Sequence, residues 1–402
     1  MWKSLITKEH PTHRFIEKKI DEIALTIKQE FQKENELGFI NGLGGIISFM
    51  HYYNLHKDYL YFNKEIDLIF DKYSKILNTN KSFKYSNCDG LAGFVWSFYF
   101  FEDIKIIDED SVAEIKEIKD NVISYLIENS NHGNFDYLYG CLILFSKYFH
   151  NENITLKLIK KIEELKEMTP LSSYSLAKVF MKAPSEEKEY DLGIAHGNSS
   201  VLLCLSQIFE IENNEHVKIL IENLLEVYFK LLQIEHKGKS FFPYSISNCN
   251  VPINFDSRMA WCTGDLSIGF TLFLVSKRIG NNTLYKKSLD ILLKLTKKIQ
   301  YNETLIVDAG FCHGSSGVAH IFGRMFNYTE IEEFKNAAIF WAEITLKFGE
   351  KIDIGYVGYA NKHSTSWEKS LNLITGISGI GLSLIALVDE NEPKWDKCFL
   401  LS

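Results

Sequence analysis

Phe311-Cys-His-Gly314-Ser-Ser-Gly317-Val-Ala319 is uncharged and places two glycines three residues apart, just ahead of an apolar run. The same design stands at Gly42-Leu-Gly-Gly-Ile46, Gly90-Leu-Ala-Gly-Phe94, Gly140-Cys-Leu-Ile143, Gly197-Asn-Ser-Ser200, Gly264-Asp-Leu-Ser-Ile-Gly269 and Gly376-Ile-Ser-Gly-Ile380. From first glycine to first glycine the steps are 48, 50, 57, 67, 50 and 62 residues. Recurrence at such spacing marks a repeat architecture. The third and fourth copies lack the second glycine, so the pattern is degenerate.

Amphipathic helices lie between these segments. Ile16, Ile20, Ile23, Ile27 and Phe31 follow helical spacing, with Glu17, Lys18, Asp21 and Lys28 on the other side. Ile154, Leu158, Ile162 and Leu165 do the same among Lys157, Lys160, Lys161 and Glu164. Apolar runs follow the glycines at Ile46–Met50, Phe94–Phe101, Val201–Leu205, Phe270–Val275 and Ile380–Val388; lacking a polar face, they are expected to be buried. The unit is therefore an outer amphipathic helix, a glycine turn and an inner apolar helix. Glycine suits the turn through positive φ and close backbone approach. Seven such hairpins closing on themselves give an all-α fold, an α/α toroid with two rings of helices. An open helical solenoid has the same periodicity.

Length alone allows two to four domains in 402 residues; the repeats predict one, spanning 1–402. Two stretches interrupt the helical pattern. Residues 170–190 contain Pro170, Ser172, Ser173, Ser175 and Pro184; residues 238–256 contain Pro243 and Pro252 around Tyr244-Ser-Ile-Ser. They read as insertions, either loops or the short strands of a small non-helical element, and as candidate substrate contacts.

Apolar residues make up 46% and charged residues 24%, ordinary globular usage that excludes disorder and fibrous repeats. Six prolines favour long uninterrupted helices. A net charge of −8 argues against a nucleic-acid binder, which needs a basic face. The first residues lack the apolar core of a signal peptide, so a cytoplasmic protein is expected. Ser370–Val388 is uncharged but carries Asn372, Thr375, two further serines and three glycines, which favours a buried helix over a membrane span. Seven cysteines, an odd number, argue against a disulfide framework.

The residues with chemistry sit in or beside the glycine turns: Arg258-Met-Ala-Trp-Cys262-Thr-Gly264, Cys312-His313-Gly314, Ala195-His196-Gly197 and Asp136-Tyr-Leu-Tyr-Gly140. Cys262, Cys312 and His313 form a zinc set that leaves a fourth position open, the catalytic rather than the structural pattern. The competing reading makes the cysteines small core residues and His313 a capping donor. His196 is the candidate acid or base. Asp136 and Arg258 either form a plain buried ion pair or orient His196 and stabilise developing negative charge. His51, His56, His320 and His363 read as structural or solvated.

In this order the motifs resemble the lanthionine synthetase C (LanC) family over nearly the whole chain: seven glycine turns, Ala-His-Gly, Trp-Cys-x-Gly, Cys-His-Gly and the final Ser-Leu-x-Leu-x-Thr-Gly-x-x-Gly-Ile. The resemblance implies an α/α toroid, one zinc ion on Cys262, Cys312 and His313, and catalytic roles for His196, Arg258 and Asp136. Thr263 stands where bacterial cyclases often carry tyrosine, and Ser200 replaces a glycine. The implied activity is thioether ring formation. Cysteine thiolates of a precursor peptide with a leader add to dehydroalanine or dehydrobutyrine made by a lanthipeptide dehydratase. An export transporter is a further possible partner, with peripheral membrane association through a biosynthetic complex; nucleic acid is not one. The alternatives are a LanC-like protein adding glutathione to dehydroamino acids, a non-catalytic zinc scaffold, and a toroid of the prenyltransferase type, whose ligand set includes an aspartate absent here.

Overall fold

The computed structural model describes residues 2–79, 82–131, 135–169, 171–175, 178–179, 188–249, 253–351, 354–363 and 366–402. The chain divides into two compact units, Met1–Lys116 with Ile306–Ser402, and Glu117–Leu305.

In the first unit the amphipathic helix His13–Glu30 buries Ile16, Ile20, Ile23, Ala24 and Ile27. It packs on Ile377–Val388, which is buried from Ile377 to Leu387 and also meets Leu43–Lys57 and Ser315–Thr329. Leu91–Asp103 follows Gly90, and Asn63–Leu77 and Glu332–Phe348 are amphipathic partners. In the second unit Asn198–Glu212 packs against Glu215–Leu231 and Gly264–Arg278, the last buried from Gly264 to Ser276. Lys116–Glu128, Glu152–Leu165 and Asn282–Leu295 are its remaining long helices among the described residues. Outer and inner elements thus alternate as the repeats predict, with one correction. The third inner element is only a 3-10 helix, Cys141–Phe145. Its apolar run ends at Ser146-Lys147, and Asn151 already caps the next helix through Asn153 N–H.

The glycine is required by close approach more than by φ. A Cβ on Gly42, Gly90, Gly197, Gly264, Gly314 or Gly376 would strike the carbonyl of the residue six positions earlier. Only Gly264 among these has a positive φ, 82°. In the first unit the next residue's N–H donates to that same carbonyl: Leu43 to Glu36, Leu91 to Lys84, Ser315 to Asp308 and Ile377 to Ser370, at 2.9–3.1 Å.

The two proline-bearing stretches contribute short strands. β1 (Glu167–Thr169) pairs with β2 (Ser172–Ser175); β3 (Lys178–Val179), β4 (Glu189–Asp191) and β5 (Ser245–Ser247) form an antiparallel sheet in that order. Tyr190 lies opposite Ile246 and Asp191 opposite Ser245. Residues 170, 176–177, 180–187 and 250–252 of these stretches lie outside the described residues. A hairpin the sequence did not suggest, β6 (Asn361–His363) with β7 (Ser366–Glu368), belongs to the first unit. No helix among the described residues is long and apolar enough to cross a membrane. All seven cysteines are free thiols.

Two of the histidines set aside as structural are bonded to carboxylates. His320 Nε2 meets buried Asp396 at 2.7 Å, beside Arg324. His56 bridges Asp389 (Nδ1, 3.0 Å) and Glu17 (Nε2, 2.8 Å). Burial disfavours its charge, but the two carboxylates outweigh that and lift it to about 9. The folded value lies above the ordinary 6.5. This stabilisation is therefore complete below about pH 6.5 and lost as pH rises through about 9. His56→Gln is expected to lower the urea midpoint at pH 7 and to flatten its decline between pH 7 and 10. An unchanged slope would assign that decline to other groups. The side chain of His363 lies outside the described residues.

Candidate functional site

In the Glu117–Leu305 unit, the turn before Cys141–Phe145 is built on Asp136, 7% exposed. Its Oδ1 accepts the N–H of Tyr139 (2.7 Å) and of Gly140 (3.2 Å), and its Oδ2 lies 3.6 Å from His196 Nδ1. That last separation is an ion pair longer than a hydrogen bond. The ring of Tyr139 lies parallel to His196, with centroids 5.6 Å apart and planes 4° apart.

A second carboxylate stands by the same imidazole. Asp191 ends β4, is 1% exposed, and accepts the N–H of Gly193 at 2.5 Å. Tyr244, just before β5, hydrogen-bonds to it. Burial pushes Asp191 up to about 6. Burial also works against the charge of His196, but Asp136, Asp191 and Cys262 together raise it above the ordinary histidine value. The Cys262 turn is fixed to the His196 turn by backbone: Ala195 N–H donates to the Cys262 carbonyl at 3.2 Å, and a Cβ on Gly193 would overlap that carbonyl. Cys262 is half-buried, and the hydroxyl of neighbouring Thr263 is buried with no hydrogen-bond partner among the described residues.

Arg258 does not pair with Asp136, the plainer of the two roles open for it. The carboxylate is committed to His196 and its own turn, and Arg258 makes no ion pair or side-chain hydrogen bond among the described residues. It is a half-buried cation.

In the other unit, Cys312 N–H donates to the Ile374 carbonyl at 2.8 Å, and Cys312 is half-buried. Next to it, His313 Nε2 lies 3.2 Å from Asp308 Oδ2 and 3.1 Å from Asn361 Oδ1 on β6. Asp308 is 1% exposed and also accepts the N–H of Gly310 (3.1 Å) and Lys362 (3.2 Å). Burial opposes its charge, yet His313 and these N–H donors hold it below the usual carboxylate range. Asp308 Oδ2 and Asn361 Oδ1 both face Nε2. A carboxylate behind the far nitrogen of a histidine is the usual support of a metal ligand. Two half-buried thiols and this imidazole fit zinc in donor chemistry. Among the described residues, no group of three or more His, Cys, Asp or Glu is arranged to hold a metal ion.

Asp191 and Asp308 were not singled out in the sequence, although a signal was there. Asp191-Leu-Gly193-Ile-Ala-His196-Gly197 and Asp308-Ala-Gly310-Phe-Cys-His313-Gly314 are one pattern, Asp-x-Gly-x-x-His-Gly. In both, the carboxylate accepts the glycine N–H two residues on and acts on the histidine five residues on.

Glycine turns of this chain thus carry a carboxylate-flanked imidazole at His196 and half-buried thiols at Cys262 and Cys312. A family model described as "Lanthionine synthetase C-like protein" matches residues 4–400, and the chain belongs to that family. The enzyme class that goes with membership is lanthionine synthetase. Among solved structures, nisin cyclase matches with a TM-score of 0.72 over 96% of this chain and 97% of its own, at 17% identity. That likeness establishes the fold, and the all-α, α/α-toroid class expected from the hairpins is the class it defines.

Proposed function

We propose that this chain is a zinc-dependent lanthipeptide cyclase, a single catalytic domain acting on a dehydrated precursor peptide that a dehydratase supplies. The observation that carries the reading is His196, flanked by Asp136 and Asp191 and within electrostatic reach of Cys262, in a lanthionine synthetase C-like chain. Cys262, Cys312 and His313 are the residues that would hold the metal. When bound, zinc supplies acidity to a substrate cysteine, whose free thiol has a pKa of about 8.5 and is mostly protonated near neutrality.

The sulfur lone pair forms a bond to the β-carbon of a dehydroamino acid, and the alkene π pair moves toward the neighbouring carbonyl. Arg258, lacking a counter-charge among the described residues, offsets the resulting enolate. His196, its charged form favoured by Asp136 and Asp191, gives a proton to the α-carbon and is recharged by the proton the thiol releases. Atoms balance: one S–H bond and one alkene π bond break, one C–S and one C–H bond form, and the mass does not change.

Incubation with dehydrated precursor and zinc, followed by alkylation of remaining thiols, tests the reading. Loss of alkylatable cysteines at constant mass is expected; full alkylation with the cognate peptide would overturn it. The same assay run with glutathione checks the adduct-forming alternative, in which peptide mass rises. Asp308→Asn is expected to weaken zinc binding about 10–100-fold, measured by chelator competition. Wild-type affinity in that variant would mean that Asp308 does not support a ligand.

A further inference from the structure

We propose that Tyr139 is a positioning residue for His196, holding the plane of the imidazole in which proton transfer takes place; its catalytic half rests on the cyclase reading. An imidazole turns about its χ2 angle unless two contacts fix it. Asp136 supplies one, but at 3.6 Å it restrains the ring loosely. The stack on Tyr139, at 5.6 Å and 4°, lies within the range of offset aromatic pairs and adds a restraint on the rotation of the ring.

The two restraints are built from one carboxylate. Asp136 Oδ1 accepts the Tyr139 N–H while Oδ2 faces His196, so a displacement of either ring is transmitted through the same side chain. The exposure of Tyr139 also requires an explanation. Tyr137, two residues earlier, is 1% exposed and belongs to the core, whereas Tyr139 is 50% exposed. The ring is held half in solvent with its flat face against the imidazole of a candidate acid/base.

The experiment uses the full chain labelled at histidine, with the His196 resonance assigned by its loss in His196→Asn. The tyrosine ring current is expected to shift the His196 ring protons upfield in wild type. The shift should vanish in Tyr139→Leu and persist in Tyr139→Phe. With dehydrated precursor, Tyr139→Leu should lower kcat about tenfold with KM within about twofold, and Tyr139→Phe should recover most of the rate. Tyr139→Met, which keeps bulk without a flat ring, should behave as the leucine variant and serves if that variant fails to fold. An unshifted resonance in wild type, or wild-type kcat in both ring-less variants, overturns the proposal. So does a raised KM at unchanged kcat, which would make Tyr139 a substrate contact. A wild-type chain that cyclises nothing overturns the cyclase reading instead, and the resonance still decides the positioning.

Discussion

Cys312→Ala is expected to leave a folded chain holding less than about 0.2 zinc per chain, against about one in wild type, and to abolish cyclisation. Of the three proposed ligands, the loss of a thiolate would remove both a bond and a negative charge that offsets the cation. The side chain is half-buried in a turn whose backbone is pinned by the Ile374 carbonyl, so the substitution is small for the fold. Cys398→Ala, in a fully buried thiol far from any histidine turn in sequence, should keep its zinc and is the control for general damage. Metal analysis of both variants after gel filtration, with circular dichroism to confirm folding, decides the point. Full zinc occupancy in Cys312→Ala would show the ligand assignment to be wrong.

His196→Asn should reduce the cyclisation rate about 10²–10⁴-fold while leaving the zinc content unchanged. Asparagine keeps some polarity in the turn and removes the titrating ring. The separation of the two readouts matters, because zinc loss in this variant would make His196 a metal ligand rather than an acid/base. Asp136→Asn should have a smaller effect in the same direction, since Asp191 remains to favour the charged imidazole. A His196→Asn chain that cyclises at the wild-type rate would remove the histidine from the mechanism altogether.

Glycine spacing and helical periodicity were enough to read the alternation of outer and inner helices, because both are local properties of the chain. They did not reveal that Cys141–Phe145 forms only a short 3-10 element, since five apolar residues before Ser146-Lys147 look like the start of any inner helix. His196 and Asp136 were legible as candidates from their position next to a glycine turn, and the structure sets their side chains 3.6 Å apart. Asp191 and Asp308 were not, because each stands six residues ahead of its glycine and works through the fold of its own loop. Tyr139 was visible only as an aromatic in a turn. Its stack on His196 joins repeats 57 residues apart, and no spacing rule encodes a contact through space. Arg258 had the same status: proximity of type to Asp136 suggested a pair that the geometry does not make among the described residues.

The repeated turn divides its own tolerance to change. At six of the glycines any side chain would strike a carbonyl, so those sites are closed to substitution. The two residues just before each glycine vary freely: Ile40-Asn41, Cys88-Asp89, Leu138-Tyr139, Ala195-His196, Cys262-Thr263, Cys312-His313 and Ile374-Thr375. Cys88 occupies the same seat as Cys262 and Cys312 yet is buried as an ordinary thiol. The scaffold therefore behaves as a keyboard with a rigid frame and exchangeable keys. New chemistry can be tried at a pair of positions in one repeat while the neighbouring repeats keep the chain folded, a property that makes this architecture evolvable.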